Sequence, residues 1–450
     1  MVMGISTKPM NTAAPTAKSK ESEALLTYNE ALKLILQECS EEKPKAELVP
    51  LDQAAFRILA EPLQAPFDLP RFNNSAVDGY GVIVDDLQDC DKTPRTLKLI
   101  DTVSAGDGNW LSELKSGQCI KIMTGAVVPD AVEAVVMREF CQEEAETVIV
   151  NCRARIGENI RLTGEEMEKG QTVLDAGTKL TPPALGLAAT VGKALLNCYR
   201  QPRIAIVSTG DELKEPGQEL SASQIYNSNS YAIKACLAGM HFHNQTGESA
   251  NNLVRCLHTS DDRESVDSTL QKALETSDVI ITLGGVSMGD RDYVKVSLEE
   301  KGARTVFWKV AIKPGKPVYF AVAPGGKFIF GLPGNPVSAL VTFELFVKPA
   351  LKILQGEKSA APHIVSARLQ AALKKKAGRL DFVRANLAEN ASHQREEDQT
   401  WKPPYLVTPT RGQDSHMLTG LVKADALIHF EQELEYAPEG AEVKAQILHW

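Results

Sequence analysis

From Thr27 onward the chain passes between stretches with the spacing of amphipathic helices and stretches with the short apolar runs of strands. Thr27 and Glu30 stand at capping-box spacing, and Ala31, Leu32, Leu34, Ile35 and Leu36 follow as the apolar part of a helix. A second, short helix is expected over 52–59, before Pro62, Pro66 and Pro70 interrupt regular structure. Residues 73–150 read as short strands, such as 81–84, 119–123 and 134–137, with Gly, Asp and Pro between them. That pattern predicts a small β-rich module. A helix over 180–191 has its start marked by Thr181, Pro182 and Pro183.

The texture changes at Arg203. Apolar strands are expected at 204–207, 278–283, 306–308, 318–322 and 328–330, and helices at 228–237, 265–275, 293–301 and 337–354. Alternation of this kind is the signature of a parallel sheet covered by helices on both faces. Beyond Gly356 short alternating runs return at 364–369, 381–387 and 443–448 and predict a separate small β domain. No fixed-period repeat occurs, which argues against a solenoid. Residues 1–23 are rich in Ser, Thr, Ala, Lys and Pro and lack both the apolar core of a signal peptide and the arginines of a transit peptide. They are expected to form a disordered tail.

Composition narrows the function. A chain of 450 residues is too long for one hydrophobic core, so several domains are expected. The net charge of −9 argues against a protein that coats nucleic acid. It does not exclude an anionic substrate, because clustered lysines or a bound cation can offset it locally. None of the eight cysteines forms a CxxC pair, so neither a zinc ribbon nor a redox motif is indicated, and reduced thiols of a cytoplasmic protein are expected. No run is long and apolar enough to span a membrane, and neither nucleic acid nor membrane is an expected partner.

The candidate chemistry lies where strands of the α/β segment end. STGDEL (208–213), GGVSMGDRDY (284–293) and GLPGNP (331–336) each follow an apolar strand. In an open α/β sheet, ligands bind beyond the carboxyl ends of the strands, so the three loops should converge on one cleft. Gly210, Gly284, Gly285 and Gly334 would let backbone N–H groups approach an anion, and Ser208, Thr209 and Ser287 can donate to phosphate oxygens. Asp211, Glu212, Asp290 and Asp292 would repel a polyanion unless a cation such as magnesium sat between them, and Asp261 offers a further ligand. KVAIKPGKP (309–317) supplies counter-charge, with Lys313 and Lys316 on either side of a Pro-Gly turn and Lys309 just before it. Taken singly, a Gly-rich loop is as consistent with a tight turn, and an acid after a strand with a helix cap. Three such loops on one sheet, carrying both acids and lysines, point to a phosphate-plus-metal site.

These motifs occur in a recognisable order. FNNSAVDGYGV (72–82), IKIMTGAVVP (120–129), IRLTGEE (160–166), STGDEL, GGVSMGDRDY, IKPGKP, GLPGNPVSA, GRLDFVRA (378–385) and RGQDSHML (411–418) together resemble the molybdopterin molybdenumtransferases, the molybdenum insertases of the MoeA and gephyrin E-domain kind. The resemblance implies a discontinuous, mixed helical domain from 24–62 and 155–199, a small β module from 63–154, a central three-layer α/β domain from 200–356 with a parallel sheet, and a C-terminal β barrel from 357–450. It implies a cytoplasmic, magnesium-dependent homodimer that inserts molybdenum from molybdate into adenylylated molybdopterin and releases AMP, downstream of a molybdopterin adenylyltransferase.

Carried onto this sequence, the resemblance implies that Glu212, Asp261 and Asp292 hold the cation, and that Asp78 and Thr124 reach in from the β modules. It also implies that Lys309, Lys313 and Lys316 face phosphate or molybdate. Lys316, Pro317 and Ser338, with Arg379 or Arg384 and Ser415, are the candidates for the oxyanion pocket, and Glu166, Pro333 and Asn335 for substrate contacts. Asn73, Glu166 and Asn227 stand where the family usually has Asp. An adenylyltransferase and a non-catalytic scaffold of the same fold are the competing readings.

Overall fold

The computed structural model describes residues 25–107, 113–242, 253–285, 293–390 and 403–450. The expected tail (1–23) and the loop residues Ser287, Asp290 and Asp292 lie outside the described residues, as does most of the polar stretch after residue 241. The chain divides into two compact units.

One unit comprises Lys43–Gln201 with Lys352–Ser359. Its β module is a six-stranded sheet in the spatial order Ala134–Met137, Gly79–Val82, Gln118–Ile122, Arg95–Val103, Thr147–Val150, Cys141–Glu144. Inward-facing Tyr80, Val82, Leu97, Cys119, Val136 and Val148 form its core. The helix Pro182–Thr190 starts after Thr181 with proline in its first turn, as the sequence predicts. The helix expected over 52–59 is absent. A single 3₁₀ turn, Leu51–Gln53, ends there, and Phe56 takes a positive φ of 62°. The N–H groups of Phe56 and Leu59 donate instead to the carbonyls of Leu180 and Thr178, at 2.9 Å each. Cross-chain pairing has replaced the intrahelical bonds.

The other unit comprises the described residues up to Glu42 with Pro202–Leu351 and Ala360–Trp450. Its N-terminal helix, Tyr28–Glu41, carries the predicted capping box at Thr27 and Glu30 and buries Tyr28, Ala31, Ile35 and Cys39. The central sheet has six strands: β1 (Ile204–Thr209), β2 (Val254–Thr259), β3 (Val279–Leu283), β4 (Arg304–Trp308), β5 (Tyr319–Ala323) and β6 (Lys327–Leu332), ordered β2-β1-β3-β6-β5-β4. Strands β2, β1, β3 and β6 are parallel; β1, β3 and β6 are almost wholly buried, as in sheets covered on both faces, while the edge strand β2 exposes Arg255, Cys256 and His258. The β5 and β4 edge is antiparallel, a refinement of the all-parallel expectation. Only Pro324, Gly325 and Gly326 separate β5 from β6, too few residues for the crossover that a parallel pair requires.

The C-terminal region forms a closed five-stranded barrel, in which Leu380–Glu389 pairs with both Tyr405–Pro409 and Ala426–Phe430. A short sixth strand, Ile312–Lys313, lies parallel to Leu380–Glu389 from outside. It ties the lysine-rich turn to the barrel. Among the described residues no helix is long and apolar enough to cross a membrane. All eight cysteines are free thiols.

Candidate functional site

The register of the parallel strands fixes where their loops emerge. Thr209 pairs with Thr259, Ser208 with Leu283, and Leu283 with Leu332, so β1, β2, β3 and β6 end level with one another. Their loops therefore leave the same edge of the sheet side by side. The Gly210 N–H donates to the Thr259 carbonyl (3.2 Å), and the Gly284 N–H to the Leu332 carbonyl (3.0 Å). The Thr209 hydroxyl lies 2.9 Å from where a Cβ of Gly284 would stand, and Gly334 packs against the Gly284 Cα. Asn229, near the start of the helix Ser228–Gly239, donates to the Gly334 carbonyl at 2.7 Å and steadies the GLPGNP loop. Spacing gave no sign of that residue; only its place just after the helix-capping Asn227 could have suggested it.

Acidic side chains gather at this edge. The N–H of Asp211 reaches the Asp261 carboxylate at 3.5 Å, and the N–H of Asp261 reaches the Asp211 carboxylate at 3.3 Å. Glu212 folds back so that its carboxylate lies over Gly210. Among the described residues no three acidic, His or Cys side chains are grouped tightly enough to hold a metal ion by themselves. What is present is a set of hard oxygen donors with lone pairs to spare. That fits magnesium, which is usually held by one or two carboxylates together with substrate phosphates.

The lysine turn meets the same region from the barrel side. Gly315 has φ 98°, and a Cβ on it would stand 2.3 Å from the Thr342 Cγ2. Only glycine both takes that conformation and fits that gap. Thr342 in turn donates to the Ser338 carbonyl (2.7 Å), so the turn rests on the helix Pro336–Thr342 that follows GLPGN. Lys313 and Lys316 are exposed on either side of the glycine. The Lys313 ammonium stands 3.7 Å from Asp381, whose carboxyl is pushed up by burial against the pull of Lys313. Asp381 was not singled out in the sequence, because its role follows from strand pairing between distant segments. Lys309 lies over the Trp308 ring at 4.0 Å.

The barrel contributes the turn at 411–418. Asn335 donates to the Ser415 hydroxyl (3.1 Å), and the Val337 N–H donates to the Ser415 carbonyl (3.2 Å). Ser415 and Asn335 are thus brought together, with buried Ser338 one turn further on. Arg384 is 1% exposed and does not open onto solvent. Its guanidinium donates to the carbonyls of Gly412 (2.7 Å) and Asp414 (3.2 Å), which holds the Ser415 turn in shape. Arg379 is exposed.

In the other unit, Asp78 and Thr124 meet although 46 positions apart. The Thr124 N–H and hydroxyl donate to one Asp78 oxygen at 2.8 and 2.7 Å, and these bonds hold the carboxyl below its ordinary range. The next residue must be glycine, because a Cβ at Gly79 would stand 2.1 Å from the Val136 carbonyl oxygen. Asn73 accepts from the Thr163 N–H at 2.8 Å, so the amide serves as a loop staple. Glu166 is exposed.

Comparison with known proteins gives a consistent picture. A family model described as the MoeA N-terminal region (domain I and II) matches residues 26–192, one described as a probable molybdopterin binding domain matches 205–353, and one described as the MoeA C-terminal region (domain IV) matches 366–448. The chain is 38% identical over 392 residues to a molybdopterin molybdenumtransferase of Haemophilus influenzae, covering 86% of this chain and 90% of that protein. It is 36% identical over 352 residues to one from Staphylococcus epidermidis, covering 78% and 81%. The crystal structure of a molybdopterin biosynthesis moeA protein from Pyrococcus horikoshii superposes with a TM-score of 0.74 at 28% identity, over 94% of this chain and 100% of that one.

Proposed function

The chain belongs to the molybdopterin molybdenumtransferases, enzymes of molybdenum cofactor biosynthesis, and from that premise we propose that it moves molybdenum from molybdate onto the dithiolene of adenylylated molybdopterin and releases AMP. The observation that carries this reading is the level ending of four parallel strands, which sets acids and phosphate-binding loops at one edge. The lysine turn and Ser415 adjoin the helix that leaves that edge.

In this reading the loops at Ser208–Gly210, Gly284–Gly285 and Pro333–Asn335 lie against the diphosphate, and Thr209 offers its hydroxyl, because the Ser208 hydroxyl and the Gly210 and Gly284 N–H groups are already bonded within the sheet edge. Lys313 and Lys316 offset its charge. Glu212 and Asp261, with Asp292, would hold magnesium, which supplies neutralisation of the phosphate oxygens. Molybdate, a compact dianion, is assigned in this reading to Lys316, Pro317, Ser338 and Ser415, whose ammonium and hydroxyl groups are donors to such an anion. Arg384 keeps the Ser415 turn in place, and Asp381 keeps Lys313 in place. An oxygen of molybdate or water attacks the adenylate phosphorus, the bond to the pterin-side phosphate oxygen breaks and AMP departs; the sulfur pair takes molybdenum as one molybdate oxygen leaves, within AMP when molybdate attacks, or as water with the two thiol protons when water attacks. The protein acts by positioning and by charge compensation.

The Asp78 carboxylate is held by the Thr124 N–H and hydroxyl, with Thr124 exposed and Asp78 half-buried. It serves, in this account, to complete the cleft of a second subunit in a homodimer. The substrate requires an upstream reaction that adenylylates molybdopterin, and the acting compartment is the cytoplasm.

The test supplies purified protein with adenylylated molybdopterin, molybdate and magnesium, and follows AMP and pterin-bound molybdenum. One AMP per molybdenum inserted, without ATP consumption, is expected. Lys316→Ala should lower the rate by roughly 10²-fold or more, as for loss of one preorganised charge. Consumption of ATP, or no AMP from the intact protein, would replace the insertase reading by the adenylyltransferase or scaffold reading.

A further inference from the structure

At one margin of the central sheet the chain leaves β4 for the lysine turn through Phe307, Trp308 and Lys309. β4 runs antiparallel to β5, and β5 antiparallel to β6, so β4 ends at the same edge as the parallel strands. Trp308 pairs with Tyr319, and Tyr319 with Gly331, which sets the indole level with the start of GLPGNP. The ring is half-buried and packs on the apolar core that the helices Arg263–Thr276 and Tyr293–Glu300 form with the sheet.

In a regular strand successive side chains point to opposite faces, so Lys309 would turn away from Trp308. The backbone prevents this. Lys309 takes a φ of 75°, in the left-handed region that residues other than glycine seldom enter. Its N–H donates to the Val318 carbonyl (2.9 Å), and the next N–H, of Val310, donates to the Lys316 carbonyl (3.0 Å). Two successive donors thus cross to the same returning segment, where a regular antiparallel ladder uses alternate residues. The resulting bulge re-aims the side chain and brings the Lys309 ammonium back over the ring of its own neighbour, 4.0 Å from the centroid. The Lys295 ammonium lies 4.7 Å from the same centroid. Lys295 belongs to the helix Tyr293–Glu300, and Val294 beside it packs against Gly285, where a Cβ would stand 2.5 Å from the Val294 Cγ2. The ring is therefore seated on the core and tied to the helix that follows the Gly284–Gly285 loop. Backbone strain of the kind at Lys309 persists where its surroundings over-determine it, and it gathers at functional sites.

We propose that Trp308 is a positioning residue, whose indole face holds the Lys309 ammonium at the edge where the loops converge. The inference rests on the function proposed above and adds to it a residue that acts only through another. Lysine carries a point charge on a flexible four-carbon stem, so an unrestrained ammonium spreads over many rotamers. The negative face of an indole attracts the ammonium and confines it. A carboxylate, such as Asp381 beside Lys313, restrains and neutralises at once. The ring restrains without bringing a counter-charge. An incoming oxyanion then meets a charge already in place, and less ordering remains to be done when it arrives.

The experiment is a double-mutant cycle on the full-length protein, with Trp308→Leu, Lys309→Met and the two combined. AMP release during molybdenum insertion is followed, and affinities for AMP and for molybdate are measured separately without turnover. Trp308→Leu should lower kcat/KM about fivefold, the scale of a cation–π contact, and Trp308→Phe should recover most of the loss. With Lys309→Met already present, Trp308→Leu should cost nothing further, because no ammonium remains to be held. A residue that only props up the fold would cost the same in both backgrounds. Additive losses, a Phe variant as poor as the Leu variant, or wild-type activity in Trp308→Leu would overturn the assignment. The contact itself is read by fluorine NMR on protein labelled with fluorotryptophan. Lys309→Met should shift the resonance that Trp308→Phe removes. That measurement does not need the Leu variant to fold, and an unmoved resonance would also overturn the proposal. If the intact protein inserts no molybdenum, the proposed function falls, and the cycle is read in the AMP and molybdate affinities instead. Non-additive losses there support the positioning role, and unchanged or additive ones end it.

Discussion

Asp78 is held below its ordinary carboxyl range by two donors of one residue, the N–H and the hydroxyl of Thr124. The pair is complete above the ordinary pKa of 3.8, and its contribution is lost as pH falls through the depressed value. Thr124→Val removes the hydroxyl and leaves the N–H, so the Asp78 titration should move part of the way back towards its ordinary midpoint. A carboxyl-selective NMR titration reads this directly, and an unmoved midpoint would mean that the hydroxyl is not what holds the charge. Asp78 and Thr124 were each singled out through the resemblance of their motifs, but their hydrogen bond to one another was not legible there. Nor was the part played by Arg384. Its burial depends on the turn at 412–414 folding over it, and nothing in GRLDFVRA distinguishes a guanidinium that binds an anion from one that ties down the Gly412 and Asp414 carbonyls.

At the scale of elements, apolar runs of β-branched residues marked β1 and β3, and the polar Gly-rich loops after them marked where a ligand would sit. The register that makes those loops neighbours could be expected from the fold class and was supplied by pairing. Segment 52–59 shows the opposite case. Its composition suits a helix, yet pairing with 178–180 and 198 takes its backbone donors and bridges. Tertiary hydrogen bonds outweighed a weak local preference. The lysine turn gives an element-scale prediction. Gly315→Ala must relieve both a positive φ and a clash with Thr342, at a cost of about 1–3 kcal/mol by strain alone. AMP release should fall, and adding Thr342→Ser, which removes the Cγ2 methyl, should restore part of it. Unchanged AMP release in Gly315→Ala would show that the shape of the turn does not matter to the reaction.

Across the molecule, stability should depend on pH through a residue remote from any chemistry. His429 is buried on the outer face of the barrel, between Phe382, with ring centroids 4.8 Å apart, and Tyr28 of the N-terminal helix, and burial pulls its pKa down from 6.5 to about 4. The unfolded chain takes up a proton below about 6.5, and the folded chain only below about 4. Stability is therefore complete above the first value and falls between the two, by about 3 kcal/mol in all. Urea unfolding across that window should show the slope, and His429→Leu should flatten it; an equal slope in the variant would assign it elsewhere.

The account as a whole depends on molybdate and the adenylate sharing one site, at the level strand ends beneath the lysine turn. A crystal soaked with AMP and molybdate tests this most directly, because molybdenum is located by its anomalous scattering. The account predicts molybdenum within hydrogen-bonding reach of Lys316 and Ser415, with the AMP phosphate against the Ser208 and Gly284 loops. Molybdenum and AMP bound on separate faces, away from those residues, would contradict it.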